Sequence, residues 1–527
     1  MKRFFLFLLL LPSLWSYAQT IVAEGPQSGI WDADTVRVTG DVVVSDSLRI
    51  LPGTVVLFEG FYGITVSGQA SFFAQGAEGD SIVFTVADTT CIGLYNSPKG
   101  AWNGIDCFKS GSVRLDYCVL QYAKASDTLD MSGGALKVRS VDDVEINHSV
   151  FQYNYAREHG GALAAEQSAF RMSNCVVHNN RVFSDDNLYF RYGGGMRFLK
   201  CDVRMEGMDF HDNDGSVCVG GALSFDSCSL VLERSVFHHN IGVNGGGMYL
   251  MRSNDKKGLL SNLLFYDNIS EHFAGALAFC DASPEVYNVT VTGNTSIGVT
   301  CNGVFFYQES SPRLTNCVIY GNYPFESEVL LDTIQMWMWT FENWGPEFRN
   351  CLIEGGTSQM QSAESILCFE DVVDADPLFV DSEHHDYRLS GNSPCRDAGW
   401  VLTPDEIQSG VDLDGMPRVS NGRIDMGPYE YSSVSVGDVG VDAPFARLEG
   451  LPLGGGSRLV LRLEDASDVT LQVYSIQGRQ VATRRFGHCD SGVTVPPLEG
   501  LTDDLRKGVY LMEISAGEKT CVIKAVR

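Results

Sequence analysis

The chain has 527 residues, and its 38 basic against 66 acidic side chains give a net charge of −28 at neutral pH. Such a field repels nucleic acid and acidic polymers, which excludes them as unaided partners and leaves neutral glycans, proteins and divalent cations. Fifteen cysteines exclude a complete set of disulfides, because an odd count leaves one thiol unpaired.

Lys2 and Arg3, the apolar run from Phe4 to Leu11 and the site Ser16, Tyr17, Ala18 predict a secretory signal peptide over 1–18, cut before Gln19. Export follows, and loss of those two basic residues takes the charge from −28 to −30. No later stretch approaches the roughly 18 uncharged apolar residues of a membrane helix. The segment VLLDTIQMWMWTF from Val329 is short and holds Asp332. From Trp31 to Thr85, β-branched and polar residues alternate between turn glycines, as in VRVTGDVVV and GTVVLF, which predicts strands of less regular first turns.

Past residue 101 a repeat takes over. Hexapeptides begin at Ser149, Cys175, Met208, Ser235, Leu263, Val289 and Cys317, with degenerate copies at Cys118 and Cys351. They close on Asn154, Asn180, Asn213, Asn240, Asn268, Asn294 and Asn322. Glycine motifs keep the same beat: GGA from Gly133, Gly160 and Gly220, GGM from Gly194 and Gly246, then AGA at Ala274 and NGV at Asn302. A beat of 26 to 34 residues is too short for a helical pair and suits one turn of a parallel β-helix. The insertion FSDDNLYF, 183–190, belongs on the outside of such a coil.

Equivalent residues of successive turns then stack about 4.8 Å apart. Alternation points hexapeptide positions one and three inward (Cys175 and Val177, Ser235 and Phe237, Cys317 and Ile319) and positions two and four outward. The closing asparagines read as scaffold: a turn residue in the left-handed conformation, its amide bonded to the turns above and below. Five positions after the second glycine of each motif stand Arg139, Glu166, Lys200, Asp226 and Arg252, whose alternating signs predict a charge ladder that fixes register. Cys118, Cys175, Cys317 and Cys351 read as small apolar fillers, with a Cys317–Cys351 disulfide as the rival. The run around Trp337, Trp339, Phe341 and Trp344 predicts a protruding loop.

Two chemistries need weighing. His178, His211 and His238 hold the outward fourth position on successive turns, with Asp212, His239 and Asp267 nearby, a column with the right donors for zinc or copper. Imidazoles one rung apart point the same way rather than converging, so a solvated stripe is the preferred reading and no metal or other cofactor is expected. A lyase or glycosidase needs carboxylates placed with a base or with each other, and pairs such as Asp142 with Asp143 and Asp185 with Asp186 show abundance without such placement.

The repeats followed by DADPLFVD (from Asp374), DYRLSGNSPCRDAG (from Asp386), DLDGMPR (from Asp412) and GRIDMGPYEY (from Gly422) resemble the right-handed parallel β-helix proteins of bacterial surfaces over roughly residues 31 to 431. The resemblance implies an all-β, single-stranded coil over 19–375 closed by an ordered cap over 376–431. DLDG at Asp412 has the composition of a calcium loop; calcium stays open, and the cap role is preferred. After a linker, 432–446, residues 447–527 alternate like an antiparallel sandwich and resemble the C-terminal sorting domain of type IX secretion substrates, carried by Gly478 at a hairpin, Gly508 and Tyr510 in LRKGVY, and Lys524 near the end. That resemblance implies the type IX secretion machinery as partner and passage to the cell surface or release, with attachment to surface lipopolysaccharide. The expected function is surface adhesion, binding a glycan or host protein; the alternative is a polysaccharide lyase or glycoside hydrolase on the same scaffold.

Overall fold

The computed structural model describes residues 19–93, 97–125, 131–184, 191–255, 258–298, 301–324, 334–401, 410–419, 422–431, 446–449, 458–463, 466–475, 480–489, 492–494, 509–517 and 519–526. The predicted signal peptide, most of the linker, Gly478 and Gly508, Asp185 and Asp186, and most of the 183–190 insertion lie outside them. Two compact units divide at Tyr431, Met1–Tyr431 and Ser432–Arg527.

The first unit is a coil whose strands join one 32-stranded sheet. Each turn lays down three short strands. In one turn these are Leu163–Glu166, Ala169–Ser173 and Val176–His178, every one paired in parallel with its counterparts above and below. Single left-handed residues, Gln167 (φ 49), Asn174 (φ 52) and Asn179 (φ 54), end the three strands and turn the chain. Leu163 and Ala165, Phe170 and Met172, Cys175 and Val177 face the core and are buried. The third strands stack Phe210 on Phe237 at 4.8 Å and Phe237 on Phe265 at 4.6 Å, so one aromatic file runs through successive turns. Each such side chain contributes roughly 1.5–3 kcal/mol by leaving water.

The seven asparagines form one buried column. Asn154 Nδ2 donates to Asn180 Oδ1 (3.0 Å), and the same bond recurs from Asn180 to Asn213, Asn213 to Asn240, Asn240 to Asn268, Asn268 to Asn294 and Asn294 to Asn322. Each Nδ2 also donates to a main-chain carbonyl of the turn below, such as Phe210 O for Asn240 (2.8 Å). Gln335 ends the column by accepting from Asn322 Nδ2 at 2.8 Å. The left-handed conformation falls one residue earlier than expected, on Tyr153, Asn179, Asp212, His239, Asp267, Gly293 and Gly321. The preceding residue makes the turn, which aims the asparagine side chain inward.

After the asparagines the chain steps outside the core and adds a strand to a separate sheet of eight, for example Asp214–Val219, Ile241–Asn244 and Ile269–Phe273. The glycine pair brings it back. Gly160 is left-handed (φ 58), and a Cβ on Gly161 would sit 2.4 Å from Gly194 O, so the packed main chains leave no room for a side chain.

The charge ladder does not form. Arg139 pairs with Glu166, but Glu166 pairs with Leu199, Leu199 with Asp226 and Asp226 with Met251. Residues 193–195 and 245–247 are glycine triplets whose first two members make the corner, so counting from the last pair lands one residue late. Lys200 (φ 53) and Arg252 (φ 49) are therefore turn residues. Local pairs replace the ladder: Arg139 with Asp106 (2.8 Å), and Arg252 Nε donating to the buried Asp226 (2.8 Å).

Cys317 and Cys351 are free thiols, as are Cys118 and Cys175. The inward cysteines do more than fill. Cys175 Sγ donates to Ser173 O (3.2 Å) just as Ser235 Oγ donates to Glu233 O (2.8 Å), and Cys317 N donates to Cys351 Sγ (3.4 Å) as Met208 N does to Ser235 Oγ (3.1 Å). Serine and cysteine thus interchange at one corner because both donate to a carbonyl and accept from an amide. Burial pushes the Cys175 thiol up to about 12, which keeps it protonated and unreactive.

The described residues of 376–431 lie along the flank of the last turns. Asn288 Nδ2 donates to Asp425 O (3.0 Å), and Asn316 and Trp400 exchange two hydrogen bonds (3.0 and 2.7 Å). Outward Val318 and Leu352 are consequently buried against Leu389, Cys395 and Met426. Inside this flank Arg418 meets Glu430 at 2.9 Å, and both Asp412 oxygens accept main-chain amides, of Met416 and Glu430, at 2.7 Å. Asp412 of DLDG thus joins the main chain at Met416 to that at Glu430.

The second unit is a small antiparallel β-structure. Sheets of three and four strands enclose Leu459, Leu461, Val469, Leu471, Val473, Met512 and Ile514.

Candidate binding face and histidine column

The first strand of each turn presents two outward residues, and their character changes along the coil. In the N-terminal turns the pairs are Asp106 and Phe108, Lys137 and Arg139, Ala164 and Glu166, Arg197 and Leu199, Ser224 and Asp226. In the following turns they are Tyr249 and Met251, Ala278 and Cys280, Phe305 and Tyr307, Trp337 and Trp339.

The expected protruding loop is therefore absent at Trp337 and Trp339. Met336–Thr340 is a rung of the coil, with Met336 and Met338 in the core and the two indoles outside. Alternation with methionine inward is what a half-buried strand requires, and the aromatic richness hid that period.

The outer residues build an aromatic platform. Trp337 and Trp339 are stacked (5.5 Å, 11° between planes), Tyr307 stands edge-on to Trp339 at 5.6 Å, and Phe273, contributed by the outside sheet, stacks on Phe305 at 4.6 Å. Trp339 is 54% exposed and Phe341, just beyond it, 56%. On the preceding rungs in file with Trp337, Tyr249, Ala278 and Phe305 are buried, so that half-buried indole packs against a closed cluster. A packed apolar surface of this kind meets the apolar side of a sugar ring with little ordering cost.

His178, His211 and His238 form a stack. Their rings are parallel at 4.7 and 4.9 Å and continue onto Tyr266 at 4.8 Å. Each Nδ1 meets the next residue of its own chain: Asn179, Asp212 and His239, all at 2.8 Å. Burial, then the neighbouring His211, holds His178 below its ordinary value, opposed by Asp212 and Asp209. His385 was missed by sequence reasoning; it approaches Asp267 and His239 from the flank. The nearest signal was an asparagine before several hexapeptides, Asn262, Asn288, Asn316 and Asn350, a column of left-handed corners on which the flank segment docks.

The carboxylate pair Asp142 and Asp143 serves the second face. Asp143 accepts from Arg114 and Ser112, both at 2.6 Å, and lies 3.2 Å from Arg171, contacts that hold its carboxyl below the usual range. In the second unit Tyr510 pairs with Ser475 and Ala525, and Lys524 with Leu511.

A family model for a “Right handed beta helix region” matches residues 100–286. The fold is a right-handed parallel β-helix. Among solved structures the β-helix is similar to the periplasmic alginate epimerase AlgG, at 11% identity and a TM-score of 0.35, over 66% of this chain and 79% of that one. No curated protein matches the sequence. Among the described residues of the β-helix and the second unit, no helix is long and apolar enough to cross a membrane.

Proposed function

We propose that this chain is an exported, surface-displayed or released β-helix protein that binds a neutral glycan on the aromatic platform of Tyr307, Trp337, Trp339 and Phe341. The observation that carries the reading is the pair of outward indoles on one rung, Trp339 open to solvent and Trp337 half-buried against Tyr249, Ala278 and Phe305. An isolated exposed aromatic has no such significance; a contiguous set backed by a packed layer marks an interaction surface. The negative charge of the chain narrows the ligand to uncharged sugars.

The signal peptide over 1–18 and the similarity of 447–527 to type IX sorting domains support the route to the outside. Deleting 447–527 should then leave the chain in the periplasm, read by fractionation and immunoblotting.

The test of the activity is a polysaccharide panel offered to residues 19–431, with and without Ca²⁺, reading both retention and turnover. Retention of a neutral glycan without new reducing ends is the expected result. New reducing ends, or absorbance of an unsaturated uronate, would replace binding by the lyase or hydrolase alternative.

A further inference from the structure

Three side chains from separate parts of the chain converge beside the histidine stack. His239 (φ 54) and Asp267 (φ 51) hold the same left-handed corner on successive turns, and His385 (φ 61) comes from the flank segment. His385 Nε2 lies 2.8 Å and His239 Nε2 3.7 Å from Asp267 Oδ2, and one donor atom of each residue falls within 4.8 Å of the other two. A tetrahedral ion bound at about 2.0–2.1 Å needs its donors about 3.3 Å apart, so the observed separations bracket the requirement.

Neighbouring rings hold the ligands in place. His239 Nδ1 lies 2.8 Å from His238 Nδ1, and the His238 ring is itself stacked between those of His211 and Tyr266, the kind of outer support that fixes a ligating imidazole. Tyr266 braces the third ligand, its ring 5.0 Å from that of His385.

We propose that His239, Asp267 and His385 bind one divalent transition-metal ion, of which Zn²⁺ is the type, with solvent in the fourth position. Two imidazoles and one carboxylate select such an ion over Ca²⁺ or Mg²⁺, which prefer oxygen donors throughout. The ion would tie the flank segment to the turns of the coil, a role separate from glycan binding.

The full chain, stripped with a chelator, is titrated with Zn²⁺ in a calorimeter and with Co²⁺ in a spectrophotometer. Saturable heat at one ion per chain and the intense visible absorption of tetrahedral Co²⁺ are expected. Affinity should fall at least about tenfold in His385→Ala and in Asp267→Asn, with unchanged circular dichroism, and stay as in the parent in His178→Ala. Absence of saturable heat overturns the site. So does binding that survives His385→Ala but is lost in His178→Ala, which would place the ion on the stacked column.

Discussion

The first and third faces of the coil use one geometry for two chemistries. Both stack side chains rung on rung, yet the first ends in an aromatic platform and the third carries a parallel file of imidazoles. A ladder alone aligns its members side by side, which suits a flat surface and defeats convergence on a small ligand. What turns either face into a site is a residue from outside the ladder: Phe273 from the outer sheet packs on Phe305 and Trp337, and His385 from the flank meets His239 and Asp267.

The sharpest way to break the ladder itself is at its buried asparagines. Asn240→Leu removes the shared acceptor of Asn213 N and Nδ2 and the side-chain donor to Phe210 O and Asn268 Oδ1, of which Asn268 Oδ1 keeps the main-chain amide of residue 240 and Asn213 Nδ2 keeps Val177 O. A loss of about 3 kcal/mol or more is expected in urea unfolding, since each buried polar group left unpaired costs about 1–3 kcal/mol. A loss below about 1 kcal/mol would mean the column is dispensable.

A smaller effect separates the two faces by function. Trp337→Ala combined with Trp339→Ala should weaken glycan binding by more than about tenfold, roughly 1.4 kcal/mol, whereas His211→Ala should leave it within about twofold, both read by affinity electrophoresis. Equal losses in the two variants would abolish the distinction.

Acid should act on the third face. His178 is held below its ordinary value of 6.5, chiefly by burial. The unfolded chain therefore takes up a proton first as pH falls through about 6.5, and stability present above that pH declines below it. Urea midpoints at pH 7.5 and 5.5 should show the decline, and His178→Gln should lessen it. The mildest change is Cys175→Ser, expected to cost under about 1 kcal/mol, because Ser149 and Ser235 occupy the same corner with the same bonds.

Period and alternation made the coil readable before any coordinates: the asparagine and glycine beats count turns, and inward Val177, Phe237 and Ile319 follow from a period of two. What escaped was contact between distant segments. A one-residue shift hidden in the glycine triplets undid the charge ladder, since motif counting cannot tell which glycine makes the corner. The Trp337 rung was mistaken for a loop because its outward positions are as apolar as its inward ones. His385 reaches its partners through the docking of residues 376–431, and no local spacing encodes that approach.

The central claim is that the outward indoles of the last aromatic rung bind ligand. Isothermal titration of the parent chain and Trp339→Ala with the neutral glycan retained in the panel tests it most directly. The account predicts saturable binding by the parent, weakened at least about tenfold in the variant with no change in melting temperature. Equal affinity in both proteins would contradict it.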